Sequence, residues 1–185
     1  LPIVAYGDPV LKKQGVNIAP DFPELAKLIT DMYETMYAAH GVGLAAPQVG
    51  KSIRLFIVDA SGFVDEGDDE YDELKDFKKV FINPEILEEA GEEWAFEEGC
   101  LSIPDIREDV LRQPDVTVRY WDENFTERTE TFSGLAARVI QHEYDHIEGI
   151  LFIDKLKPLK KKLLLPKLNK ISRGEVDVDY RVKVY

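Results

Sequence analysis

Six consecutive residues, Gln141-His142-Glu143-Tyr144-Asp145-His146, carry the pattern in this chain best suited to building a hydrolytic centre. On a helix, residues four apart lie one turn above each other, about 5–6 Å between Cβ atoms. His142 and His146 can therefore aim two imidazoles at one ion, with Glu143 beside them to handle the proton of a metal-bound water. The short pattern alone leaves open a second reading, in which two core or surface histidines merely happen to be four apart. A third ligand decides between the two, because a catalytic zinc-type site takes three protein ligands plus water. One large protease class extends the pattern to His-Glu-x-x-His-x-x-Gly-x-x-His. Here Gly149 is present, but the last position is Phe152. The remaining histidine is His40, and carboxylates downstream of the helix are sparse: Asp154, then none until Glu175. The third ligand is expected upstream, where the lone cysteine, Cys100, sits in Glu97-Glu98-Gly99-Cys100-Leu101-Ser102-Ile103-Pro104.

The helix that must hold the two histidines is well supported. Ser133 can cap its start, and Leu135, Val139, His142, His146 and Ile150 form one stripe at helical spacing. Ile140, Tyr144, Ile147 and Leu151 form a second, leaving only the Arg138–Gln141–Asp145–Glu148 edge polar. A helix apolar on two sides is buried, so this one is expected to run through the middle of the fold.

The chain around it has 185 residues, enough for one domain with a proper core. Residues 1–185 are read as a single catalytic domain, with an acidic insertion over 61–77 and a basic segment and terminal strand over 155–185. No apolar run approaches the roughly 18 residues of a membrane span. The first residues show neither a basic region nor a cleavable apolar core. A lone cysteine excludes an internal disulfide and fits a reducing compartment. A cytoplasmic protein with no membrane association is expected. The formal net charge of −13 argues against general nucleic-acid binding, and no specific DNA contact is expected. That charge is uneven: Asp65–Asp76 holds eight acids and one lysine, and Lys155–Arg173 eight basic residues and no acid. Two solvated faces explain this most simply, and a docking surface for something anionic is the functional reading of the basic one.

In chain order, Asp8-Pro9 opens a short helical piece, and Asp21 with Glu24 three residues on reads as the cap of a helix ending at Gly41. Leu25, Leu28, Ile29, Met32 and Met36 form its apolar face, with His40 a capping or packing residue near its end. Gly41-Val42-Gly43-Leu44-Ala45-Ala46-Pro47-Gln48-Val49-Gly50 suits a loop whose backbone approaches something closely. Gln48 is its one side chain able to donate into a site. Ile53–Asp59 reads as a buried strand. Lys79–Asn83 reads as a short strand stopped by Asn83-Pro84, and Glu85–Phe96 as strands around Gly91. Val116–Trp121 and Glu127–Phe132 form a hairpin feeding the His-Glu-x-x-His helix. Pro158–Ile171 reads as a basic helix interrupted at Pro166, and Val176 to Val184 as an alternating terminal strand. Short, mainly antiparallel strands packed around a buried central helix make an α+β fold.

Three segments, Gly41-Val42-Gly43-Leu44-Ala45-Ala46-Pro47-Gln48, Glu98-Gly99-Cys100-Leu101-Ser102 and Gln141–His146, resemble in order and spacing the three signature motifs of the peptide deformylase family. Tyr6–Leu11 is similar to that family's N-terminal start, and the resemblance extends to about Lys157. It implies hydrolysis of the formyl group from the N-terminal formyl-methionine of nascent bacterial polypeptides. Residue by residue, it implies Cys100, His142 and His146 as metal ligands and Glu143 as general acid and base. Gln48 and the Leu101 N–H correspond to the oxyanion donors, and Glu98 to the acid that opens the second motif. Gly43 corresponds to a backbone contact to substrate. Val42, Phe96, Leu135, Arg138 and Val139 would surround the methionine side chain, Arg138 packing its aliphatic stem there with its charge outside. The resemblance further implies one divalent ion, Fe2+ in the cell, with Zn2+ or Ni2+ taking its place in purified protein.

That chemistry fits the residues. A formamide is a stabilised amide, so its hydrolysis needs a strong nucleophile and support for an oxyanion. Imidazoles and a thiolate bind iron, nickel and zinc alike. Three other readings make distinct demands. A metallo-endopeptidase would cleave internal bonds. A cysteine hydrolase using Cys100 would survive chelators, and a structural zinc domain would take four Cys/His ligands. The basic Lys155–Arg173 segment is a candidate for docking at the ribosome, where formylated chains emerge.

Overall fold

The computed structural model describes residues 1–185. Its centre is a five-stranded antiparallel sheet in the order β2-β3-β4-β7-β8. These strands are β2 (Gly43–Ala45), β3 (Leu55–Asp59), β4 (Lys78–Ala90), β7 (Asp115–Trp121) and β8 (Glu127–Ser133). Successive strand residues point to opposite faces, and β3, apolar at four consecutive positions, is covered on both. Leu55 and Ile57 pack beneath α1 (Leu25–Ala38) with Leu28, Ile29, Met32 and Met36. Phe56 and Val58 pack beneath α3 (Gly134–Ile147) with Phe81, Tyr120, Ala137 and Ile140. The expected α+β architecture, with the His-Glu-x-x-His helix buried at its centre, is the one observed.

Two smaller sheets flank this core. β5 (Trp94–Cys100) and β6 (Ile103–Arg112) form an antiparallel hairpin, and β1 (Ile3–Val4) pairs in parallel with β9 (Val182–Lys183). A one-turn helix, α2 (Tyr71–Leu74), and a C-terminal helix, α4 (Pro158–Ser172), complete the chain. No helix is long and apolar enough to cross a membrane.

Several boundaries differ from expectation. β4 runs through Asn83-Pro84 instead of stopping, because its pairing with β7 shifts register between Ile82 and Glu85, a bulge where proline is tolerated. Asn83 sits in left-handed backbone (φ 48°) and is held there by side-chain bonds to the N–H and carbonyl of Ile18, both 2.8 Å. α4 likewise continues through Pro166 on an exposed part of the helix, where water can take the freed carbonyl. The alternating C-terminal segment pairs only at Val182–Lys183, since its partner β1 is two residues long. Asp21 does not cap α1. Glu24, in left-handed backbone, precedes the helix and makes no side-chain cap bond. The acidic stretch is not simply an exposed loop: Leu74 is buried, and Glu70 reaches α3.

Candidate metal centre

α3 starts where β8 ends, and its cap is remote. Ser133 Oγ donates to Asp115 Oδ1 (2.6 Å) and makes no cap bond, whereas Glu70 Oε1 accepts the Leu135 N–H at 3.2 Å. A carboxylate there also complements the positive end of the helix dipole. At the other end Gly149 (φ 75°) turns the chain, and a Cβ on it would lie 2.6 Å from the Lys12 carbonyl oxygen. Between these ends α3 turns Arg138, Gln141, His142, Glu143 and His146 into the protein interior. The edge expected to be polar is so, and it is buried or half-buried and paired. Gln141 donates to Gln113 O (3.0 Å) and Asp145 accepts from Arg112 (2.8 Å).

The β5–β6 hairpin faces this helix. Its tight turn presents Cys100, whose Sγ lies 3.3 Å from His146 Nε2. The candidate ligand atoms of Cys100, His142 and His146 all fall within 4.8 Å of one another. Glu98, two residues before the cysteine, accepts from His142 Nδ1 at 2.8 Å, which fixes the proton on that nitrogen and leaves Nε2 as the donor atom. Burial would raise the Glu98 carboxyl, but hydrogen bonds from His142 and Arg112 outweigh it and hold the group well below the usual carboxylate range. His146 is pushed down by burial, then by His142 and Arg112, and so stays in the neutral form that can ligate. Phe152, at the position where the longer protease pattern has its third histidine, stacks on His142 with ring centroids 5.9 Å apart.

Whether these residues suit a metal can be judged from the donor set and from what is left unpaired. One sulfur and two imidazole nitrogens converge, with a carboxylate fixing one ring from behind. Next to them Glu143 is buried, its Oε2 unpartnered, and burial pushes its carboxyl up to about 7. A buried, unpaired carboxylate oxygen calls for a partner such as water or substrate. The arrangement fits a three-ligand catalytic site with an open position.

The glycine-rich segment closes the other side. A Cβ on Gly43 would lie 2.8 Å from Glu143 Cγ and Oε1, so only glycine lets β2 approach the carboxylate. Gln48, buried in a 3-10 turn over Ala46–Val49, accepts the Ala45 N–H through Oε1 (3.0 Å). Its Nε2 thereby turns toward Cys100 Sγ (3.4 Å) and Ser102 Oγ (3.2 Å). A cavity of about 450 Å3 is lined by Val42, Gly43, Gln48, Phe96, Leu101, Val139, His142 and Glu143 among others.

Two expected pocket residues sit differently. Leu135 is absent from the cavity wall and is half-buried against the core between sheet and helix. Arg138 does line the cavity, but its charge is not outside: the residue is 2% exposed. Its Nη1 donates to Glu98 Oε2 and Val110 O (both 2.8 Å), Nη2 donates to Trp94 O (2.7 Å), and the guanidinium lies 4.6 Å from the Trp94 ring centroid. Glu98 compensates that charge, which makes its burial possible. Sequence reasoning missed Arg112, Phe63, Val178 and Tyr180. Arg112 bonds both Glu98 oxygens (2.7 and 3.0 Å), and the other three line the cavity. The β6 alternation Ile106-x-Glu108-x-Val110-x-Arg112 places Arg112 on the face of buried Ile106 and Val110 and is the signal that could have found it, but nothing in the strand shows that Glu98 is its partner.

The comparisons with known proteins agree with this geometry. The family model for polypeptide deformylase matches residues 1–162. The peptide deformylase of Christiangramia forsetii is 62% identical over 99% of this chain and 95% of its own, and that of Flavobacterium johnsoniae 59% over 99% and 95%. Among solved structures, a peptide deformylase from Plasmodium falciparum matches with a TM-score of 0.81 at 35% identity, covering 93% of this chain and 95% of its own. One from Legionella pneumophila matches with 0.79 at 40%, covering 94% and 95%. A helix bearing His-Glu-x-x-His, a cysteine turn and a glycine-rich edge meet here as they meet in order along the sequence, and this chain belongs to the polypeptide deformylase family, metal-dependent hydrolases that remove the formyl group from newly made polypeptides.

Proposed function

We propose that Cys100, His142 and His146 hold one divalent ion, that Glu143, Gln48 and the Leu101 N–H carry out deformylation beside it, and that residues 1–185 act as a single catalytic domain. The observation that supports this most is the convergence of the three donor atoms next to the unpartnered Glu143 oxygen. The bound ion supplies Lewis acidity, which brings the pKa of water from 15.7 to about 7. Glu143 takes the proton of the attacking water and returns one to the methionine amine as formate leaves. Gln48 Nε2 and the Leu101 N–H hold the developing oxyanion, each donor contributing roughly 2.7–4 kcal/mol by analogy with other hydrolases. Val42, Phe96, Val139 and the stem of Arg138 enclose the methionine side chain and Gly43 contacts the substrate backbone, while Leu135 acts only through packing. The tight site admits formyl and refuses acetyl by size; equal turnover of the two acylated peptides would refute this.

The ion in the cell is ferrous iron, replaced by zinc or nickel on purification in air, because imidazole and thiolate donors accept all three and a thiolate-bound ferrous site is sensitive to oxygen. The substrates are formyl-methionyl nascent chains, met in the cytoplasm near the ribosome. α4 offers the docking face: Lys162, Lys167 and Lys170 are exposed and enter no ion pair, whereas Lys160 and Lys161 face Glu108 and Asp154. Ribosome pelleting unchanged by charge reversal of Lys162, Lys167 and Lys170 would remove that role.

The deciding experiment is amine release from a formyl-Met tripeptide by protein purified without oxygen, with and without chelator, beside Glu143→Ala. Turnover abolished by chelator and by the substitution is the expected result. Chelator-resistant turnover would overturn the metal assignment.

A further inference from the structure

The three deformylase motifs leave one wall of the cavity unaccounted for, the C-terminal tail. After α4 the chain turns at Gly174 (φ 79°) and runs back to β9, where Val182 and Lys183 pair with the buried Ile3 and Val4. On the way Val178 and Tyr180 enter the lining of the cavity that contains Glu143 and Cys100. The Tyr180 hydroxyl donates to the Leu101 carbonyl at 2.8 Å. Asp179, between them, lies 3.3 Å from His40 Nε2. His40 has left-handed backbone (φ 59°) and directly precedes Gly41-Val42-Gly43. That exposed pair is worth little energetically, but it shows that the tail reaches both lips of the cleft.

The turn between Cys100 and Ile103 is held at three points from outside. Ser102 O accepts the Tyr6 N–H (2.8 Å), Ser102 Oγ accepts from Gln48 (3.2 Å), and Leu101 O accepts from Tyr180. Gln48 and Tyr6 belong to stretches that resemble the family's; Tyr180 lies beyond the residues matched by the family model. Positioning matters here, because a displacement of about 1 Å at a reacting centre can cost on the order of a hundredfold in rate. The cavity, at about 450 Å3, lies in the range of roughly 300–1,000 Å3 that holds a drug-sized ligand, more than a formyl group requires.

We infer that residues 178–180 form a wall of the substrate site. Tyr180 is a positioning residue that fixes the Leu101 turn, and Val178 packs against the peptide that follows the formyl-methionine. The Tyr180 role rests on the reading of the Leu101 N–H as an oxyanion donor; the Val178 role does not. A peptide that extends past methionine gains contact with the tail, so the site selects for chain length through residues outside the motifs.

The test uses Tyr180→Phe, Val178→Ala and Gln48→Ala, each assayed with formyl-Met-Ala-Ser and with formyl-methioninamide. Tyr180→Phe keeps the ring and loses the hydroxyl, so kcat is expected to fall about five- to tenfold on both substrates with KM near wild type, the size of one hydrogen bond. Val178→Ala is expected to raise KM for the tripeptide about three- to fivefold and to lower the tripeptide-to-amide ratio of kcat/KM by the same factor. Wild-type kcat in Tyr180→Phe, alongside a loss of about a hundredfold in Gln48→Ala, overturns the positioning role and leaves the oxyanion reading standing. Wild-type kcat in Gln48→Ala overturns the oxyanion reading and the Tyr180 role with it. An unchanged length ratio in Val178→Ala overturns the wall.

Discussion

Replacing Glu98 by glutamine should affect folding and metal binding separately. Glu98 is surrounded by two guanidinium groups and one imidazole: Arg112 bonds both its oxygens, Arg138 bonds Oε2, and His142 Nδ1 bonds Oε1. Arg112 keeps a second anion, Asp145 at 2.8 Å. Arg138 has no other anion among its hydrogen-bond partners, only the carbonyls of Val110 and Trp94. Glu98→Gln therefore leaves one buried cation uncompensated. Removing one member of a buried ion pair costs about 3–5 kcal/mol; the amide oxygen can still accept from the donors on one side of the group, which places the expected loss near the low end.

The second effect concerns His142. A neutral amide is a weaker acceptor for Nδ1–H, and loss of a ligand's supporting carboxylate lowers metal affinity by roughly 10–100-fold. Urea unfolding of the metal-free protein reads the first effect, and chelator competition at neutral pH reads the second. Arg138→Met supplies the control. In the wild-type background it breaks the buried pair, whereas in the Glu98→Gln background it removes the stranded charge and should cost much less, a coupling of about 1–3 kcal/mol. Additive losses, together with wild-type metal affinity in Glu98→Gln, would refute the argument that this network holds the ligand in place.

Three further outcomes follow from the same geometry. Gly43→Ala should lower kcat at least tenfold while metal content per chain stays near one, because the new Cβ would displace the Glu143 side chain that lies 2.8 Å away; unchanged kcat would show that β2 yields instead. Glu70→Ala should cost about 1 kcal/mol by removing the acceptor of the Leu135 N–H at the start of α3, read as a fall in Tm, and an unchanged Tm would mean water replaces it. Asp154 is raised by burial but lowered further by Lys12 and by the Leu151 N–H, so its folded-state carboxyl lies below the ordinary range. Its contribution is then complete above that range and is lost as pH falls through the depressed value. Asp154→Asn should therefore be less stable than wild type at pH 7, with the gap closing in acid; a gap constant with pH would contradict this.

Local patterns were legible in the sequence wherever the side chains concerned are neighbours on one element. The helical spacing of His142 and His146, the apolar run Leu55-Phe56-Ile57-Val58 and the alternation along Val116–Trp121 are patterns within one element and each has its expected form, although the helices that cover β3 come from far along the chain. Errors arose where a residue's environment is supplied from far along the chain. Arg138 read as part of a polar edge because charge on a helix normally faces water, yet its compensating anion sits 40 residues upstream. The α3 cap read as Ser133, but the acceptor is Glu70, 65 residues from Leu135.

The C-terminal tail shows the limit in another way. Alternation from Val176 to Val184 promised a strand, and a strand requires a partner of equal length. β1 offers two residues, so the rest of the segment has no ladder to join. Its alternate side chains go elsewhere: Val176 and Val182 into the apolar cluster around Phe152, and Val178 and Tyr180 into the cavity wall. Period-two patterning specifies that every second side chain is buried; it does not specify by what. In this molecule the buried side belongs in part to the cavity that holds Glu143 and Cys100, so a segment that reads as sheet edge shapes the surface proposed above to receive the formylated peptide.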